Sequence, residues 1–113
     1  MSALEKNIEK LDGHLKKFRE VGILNCIAGV DVTGSQGTFQ TTSPVDKSII
    51  CDVAHGSKED IDRAADAAQE AFSVWREMPA LERKEVLIRI ADGIEARAEE
   101  IALCECWDTG QAY

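Results

Sequence analysis

No uninterrupted apolar run in this chain approaches the ~20 residues that a membrane-spanning helix needs. The first twenty residues are charged throughout and lack the apolar centre of a secretory signal. Basic residues are in short supply, with 13 Lys plus Arg against 21 Asp plus Glu and a formal charge of −8. That deficit leaves no positive footprint for nucleic-acid phosphates or an anionic membrane, so neither is an expected partner. No Cys-x-x-Cys occurs, and neither His14 nor His55 sits at ligand spacing from a cysteine. The glycines never form G-x-G-x-x-G, which removes the sequence signal of a phosphate cradle. A cytoplasmic location is expected.

What is present is ordinary for a globular protein: 113 residues, 44% apolar and 30% charged. The length suits one small domain, burying roughly two-thirds of the surface its unfolded chain exposes. It is short for an enzyme holding a cofactor and a substrate together. The acids concentrate in residues 52–113, along amphipathic segments that read as solvated helical faces. Cys26, Cys51, Cys104 and Cys106 are expected to be buried, reduced thiols, since free cysteine packs as a small apolar residue. None has a His or Lys at an obvious activating spacing.

Residues 2–20 read as a helix. Ser2 with Glu5 forms a capping box, and Leu4, Ile8, Leu11, Leu15 and Phe18 make one stripe ending near Gly22. Ile23–Ile27 is a short strand ending at Ala28-Gly29. Thr38–Thr42 and Ser48–Val53 read as a β-hairpin turning at Pro44-Val45-Asp46-Lys47, with Ile49, Cys51 and Val53 on one side. Ser57 and its following acids open a second helix, carrying Ile61, Ala65, Ala68, Phe72 and Trp75 at helical spacing. Met78-Pro79 ends it and opens a third, whose stripe shifts phase around Ala96-Arg97, where a kink or break is expected. Asp108-Thr109-Gly110 reads as the last helix end.

Residues 38–112 resemble the start of the NAD(P)-dependent aldehyde dehydrogenase superfamily. The resemblance runs through Phe39-Gln40-Thr41-Thr42-Ser43-Pro44, then Ser57-Lys58-Glu59-Asp60-Ile61-Asp62-Arg63-Ala64, then Ala67 to Phe72 and Trp75. It continues with Glu82-Arg83 through Leu87 to Ile90-Ala91-Asp92, and ends on Glu105-Cys106-Trp107-Asp108-Thr109-Gly110. Lys47 stands where the family often has Gly, which implies strain or a different turn, and Gln111 where Lys is common. The last run, to Ala112, is similar to members that oxidise hydroxymuconate-type semialdehydes.

The resemblance implies an α/β fold, locally α+β. Residues 1–22 would be a helical N-terminal extension, and 23–113 an incomplete N-terminal segment of a cofactor-binding domain, its Rossmann-like core largely absent. It also implies an activity: a cysteine thiolate attacks the aldehyde, hydride passes to NAD or NADP, and a glutamate activates water to release the acid. In the family those groups come later in the chain, so no catalytic or cofactor-binding residue is carried over and the chain alone is expected to be inactive. One site is carried over by resemblance, a structural Na⁺ or K⁺ held by backbone oxygens of Thr41 and Thr42 with Asp108. For Asp108 the competing role is accepting backbone N–H bonds near a helix end. Expected partners are the remainder of an aldehyde dehydrogenase polypeptide or a second copy. The alternative is a standalone α+β interaction module without catalysis, using its first helix in a partner's groove.

Overall fold

The computed structural model describes residues 1–113. Helix α1 covers Ala3–Val21, and Ser2 and Glu5 close its capping box in both directions. It stops at Gly22, whose φ of 80° falls in the left-handed region. A Cβ there would lie 2.8 Å from the Asp52 carbonyl oxygen, so the position demands glycine on two counts.

Four strands follow: β1 (Asn25–Ile27), β2 (Val30–Val32), β3 (Thr38–Thr42) and β4 (Ile49–Ala54). They form two antiparallel hairpins, β1 with β2 and β3 with β4. The first strand is shorter than the Ile23–Ile27 run implied, because Ile23 instead makes an isolated parallel bridge to Val53 on the edge of β4. Ala28-Gly29 does not end the pairing. It turns the chain into β2, whose alternating Val30-Asp31-Val32 is only three residues long, too short to read as a strand from sequence.

The β3–β4 hairpin forms where expected, with one correction to its faces. The register shifts between Thr41 and Thr42, pairing Thr41 with Cys51 and Thr42 with Ile49. Ile50 is the extra residue of this bulge. Ile49 is therefore exposed, while Ile50 and Cys51 are both buried.

Helix α2 (Lys58–Glu77) starts at a second reciprocal capping box, Ser57 with Asp60. Met78 ends it, and Pro79 precedes α3 (Ala80–Ala96). The expected break falls at Arg97, whose φ of −114° and ψ of 18° separate α3 from α4 (Ala98–Thr109).

The core joins both ends of the chain. Leu11 and Leu15 of α1, Ile50 and Cys51 of β4 and Leu103 of α4 form it, with Phe18, Val53, Cys104 and Trp107 packed around. Two ion pairs flank the α1–α4 contact, Lys10 with Glu99 at 2.5 Å and Lys17 with Glu100 at 2.6 Å. Only ten residues are buried. The accessible surface is 8365 Å², against about 6,100 Å² for a compact chain of this mass. The radius of gyration is 17.5 Å, against about 13 Å for a compact domain. The surplus lies on α2 and α3. Ile61, Phe72, Leu87, Ile90 and Ile94 are exposed, and α3 has no buried residue.

The cysteines also differ from expectation. All four are free, but only Cys51 is buried; Cys104 and Cys106 are half-buried and Cys26 is exposed. Cys26 lies in a two-stranded hairpin that nothing covers on its side, so strand residence alone does not hide it.

Candidate functional site

The end of β3 and the last turn of α4 meet through Ser43. Its side chain is fully buried, its hydroxyl donates to the Trp107 carbonyl at 2.6 Å, and the same oxygen accepts from the Val45 N–H at 3.2 Å. A serine before Pro44 suits this role, because its short side chain turns back on the local backbone. Sequence reasoning placed Ser43 only within a motif and missed this tie; the signal was its position at the Ser-Pro turn.

Beside this tie lies a cavity of about 570 Å³ between α1, the β3–β4 hairpin and α4. Phe18, Phe39, Ile50 and Ile101 are among its apolar lining residues. Thr41 and Asp108, two of the three residues expected to hold a monovalent cation, line it too. Thr42, one residue past the register shift, is exposed and does not. Asp108 makes no side-chain hydrogen bond or ion pair, so its carboxylate does not serve as a backbone acceptor at the helix end. Instead the hydroxyl of Thr109 donates to the Glu105 carbonyl at 2.8 Å. No group of three or more His, Cys, Asp or Glu side chains is placed to hold a metal ion.

Two thiols face the same space. Burial pushes the Cys51 thiol up, with Asp52 and Asp108 adding to the effect. Burial also raises Cys104, with Glu100 adding to it. Both shifts disfavour the thiolate, the opposite of what a nucleophile requires. Glu100 is itself held at about 2 by hydrogen bonds from Arg97 and Lys17, so its charge is committed to fastening α1 to α4.

A second polar node is built around Asp60. Asp60 accepts from the Ser35 hydroxyl at 2.6 Å, the Ser35 N–H at 3.0 Å and the Ser57 N–H at 2.9 Å. These bonds, led by the Ser35 hydroxyl, hold its carboxyl at about 2. The Gly34 backbone runs so close to His55 that any Cβ would overlap it. The node pins the loop before β3 to the start of α2, and its geometry is that of a fastening.

Residues 32–113 match the "Aldehyde dehydrogenase family". The chain belongs to that family. Among relatives, the mitochondrial benzaldehyde dehydrogenase of Antirrhinum majus is 42% identical over 90 residues, covering 77% of this chain and 17% of that protein. The mitochondrial aldehyde dehydrogenase of Rattus norvegicus is 45% identical over 82 residues, 70% of this chain and 16% of that protein. The crystal structure of HpcC from Thermus thermophilus superposes with a TM-score of 0.86 at 39% identity, over 91% of this chain and 20% of that one. The helix, two hairpins and three further helices are thus the N-terminal portion of an aldehyde dehydrogenase fold. The chain spans about one-sixth of the length of such relatives. No helix is long and apolar enough to cross a membrane.

Proposed function

We propose that this chain is the N-terminal framework of an aldehyde dehydrogenase that oxidises aldehydes or semialdehydes to carboxylic acids with NAD or NADP. The chemistry is assigned to parts of such an enzyme outside these 113 residues, and the chain alone is inactive. The observation that carries this reading is the match of residues 32–113 to the aldehyde dehydrogenase family, over about one-sixth of the length of such relatives. Burial raises the pKa of Cys51 and of Cys104, which disfavours the thiolate of both. Attack on an aldehyde needs a thiolate, a base to activate water and donors for the oxyanion, and this reading assigns all three to residues downstream of this segment.

On this reading residues 1–22 are a helical extension clamped to residues 23–113, the incomplete cofactor-domain segment. The apolar faces of α2 and α3 pack against the remainder of the polypeptide, or against a second copy when the segment is alone. A monovalent cation, Na⁺ or K⁺, would be held by the Asp108 carboxylate with backbone oxygens of Thr41 and Thr42, and would pin the hairpin to α4. A hydroxymuconate-type semialdehyde is the proposed substrate class, from the run Glu105–Ala112, and the cytoplasm the proposed location.

The test is NADH or NADPH production with a panel of aldehydes and semialdehydes. It compares this chain with a longer product that carries the downstream cysteine. Turnover by the longer product alone is expected. Turnover by the 113-residue chain, lost on replacing one of its four cysteines, would contradict the reading.

A further inference from the structure

The segment combines a closed core with an open face. Leu11, Leu15, Ile50, Cys51 and Leu103 pack together, the Ser43 hydroxyl fastens the hairpin to the Trp107 carbonyl, and Gly110 caps α4 in the left-handed conformation. The ties that hold α1, the hairpin and α4 all run between residues of this chain. On α2 and α3 the reverse holds. Ile61 and Phe72 of α2, and Leu87, Ile90 and Ile94 of α3, are each more than half exposed.

The open face is larger than a free-standing surface needs. The accessible area exceeds that of a compact chain of this mass by about 2,300 Å². A standard interface takes about 800 Å² from each partner, and obligate interfaces run larger. Helix α2 meets the rest of the fold mainly at β1, and α3 mainly at α4, so neither is placed by burying its own apolar stripe. Both nevertheless stand where a full-length relative has them, since the superposition on HpcC covers 91% of this chain. A second copy is the poorer occupant. Six acidic side chains against three basic on α2, and four against three on α3, would set like charge against like. The chain spans about one-sixth of its relatives, and the missing length is more than enough to cover the face.

We propose that this segment is a separable docking module: through the α2–α3 face it binds the remainder of an aldehyde dehydrogenase as a free polypeptide, with no peptide bond joining the two, and completes the enzyme. The identity of the partner rests on the dehydrogenase reading; the face and its size do not. The closed core presents α2 and α3 already formed, so association does not have to order the segment first.

The test divides the longer product that carries the downstream cysteine after Tyr113 and produces both pieces in one cell, with an affinity tag on the 113-residue piece. The two are expected to purify together in equal amounts. NADH or NADPH production with the aldehyde panel is expected from the pair and from neither piece alone. Phe72→Asp and Ile90→Asp replace exposed side chains outside the core. Each should abolish co-purification and turnover, because a carboxylate would be buried without a partner, while the far-UV circular dichroism of the 113-residue piece stays as it is. Failure of the remainder to co-purify, whether soluble or aggregated, overturns the proposal. So do variants that co-purify as well as the parent, turnover by the remainder alone, and a tagged piece recovered only with copies of itself. The undivided product separates the two readings. Its turnover beside unassociated, inactive pieces sinks this inference alone; its lack of turnover sinks the dehydrogenase reading, and co-purification still decides the docking.

Discussion

The Ser43 hydroxyl donates to the Trp107 carbonyl at 2.6 Å across sixty-four residues of sequence, from a side chain with no exposure to solvent. This bond joins the end of β3 to the last turn of α4. Replacing Ser43 with Ala leaves the Trp107 carbonyl and the Val45 N–H without that partner. The expected cost is about 1–3 kcal/mol. Urea unfolding followed by circular dichroism measures it, and an unchanged midpoint would show the bond to be dispensable.

Lys47 holds a φ of 67° at the turn into β4. A Cβ in the left-handed region costs roughly 1–2 kcal/mol, partly offset by the extra unfolded-state entropy of glycine. Lys47→Gly is therefore expected to stabilise the chain by about 0.5–1 kcal/mol, read as a higher urea midpoint with an unchanged slope. A lower midpoint would mean that the lysine side chain contributes something its geometry does not reveal.

Leu15 and Leu4 lie on one helical stripe but in different surroundings, 3% and 68% exposed. Leu15→Ala should cost roughly 2–5 kcal/mol, as for other buried leucines. Leu4→Ala should fall within about 0.5 kcal/mol of the parent. Comparable effects from the two would mean that the N-terminal half of α1 is covered in solution.

Asp60 and Glu100, each held at about 2, make the fold acid-sensitive. Both are depressed below their ordinary values of 3.8 and 4.5. Their contribution is fully present above the unfolded values and is lost as pH falls toward 2. Stability should be flat with respect to these groups above about pH 5 and decline below it. Asp60→Asn should flatten part of that decline while lowering stability at pH 7. Thermal melts across pH 2–7 provide the check, and an Asp60→Asn profile parallel to the parent's would remove Asp60 from the account.

The four thiols should alkylate in an order set by exposure and pKa. Cys26 is exposed, Cys51 is buried with a raised pKa, and Cys104 and Cys106 lie between. Timed iodoacetamide labelling with peptide mass mapping at neutral pH should find Cys26 first and Cys51 last. Early modification of Cys51 would place its strand in a far looser environment.

Much of this architecture was legible from local chemistry. Ser2 with Glu5 and Ser57 with Asp60 marked two helix starts, because a capping box satisfies backbone groups within four residues of sequence. The phase shift at Ala96-Arg97 likewise marked a real break. The misses were long-range. The bulge that buries Ile50 instead of Ile49 depends on register against β3, and strict alternation cannot anticipate a register shift. Strand β2 exists because β1 pairs with it, since Val30-Asp31-Val32 is exposed or half-exposed throughout. Of the expected cation residues, Thr41 and Asp108 line one cavity, and the family motif held both.

Because Leu11 and Leu15 make their core with Leu103, the central packing closes only when the two extremes of the chain are brought together. During synthesis the amino-terminal helix would leave the ribosome with no mate, and would stay unconsolidated until α4 had cleared the exit tunnel. Chains arrested on a short C-terminal linker that keeps α4 inside the tunnel should therefore be readily digested, and those on a linker long enough to free Gly110 should resist.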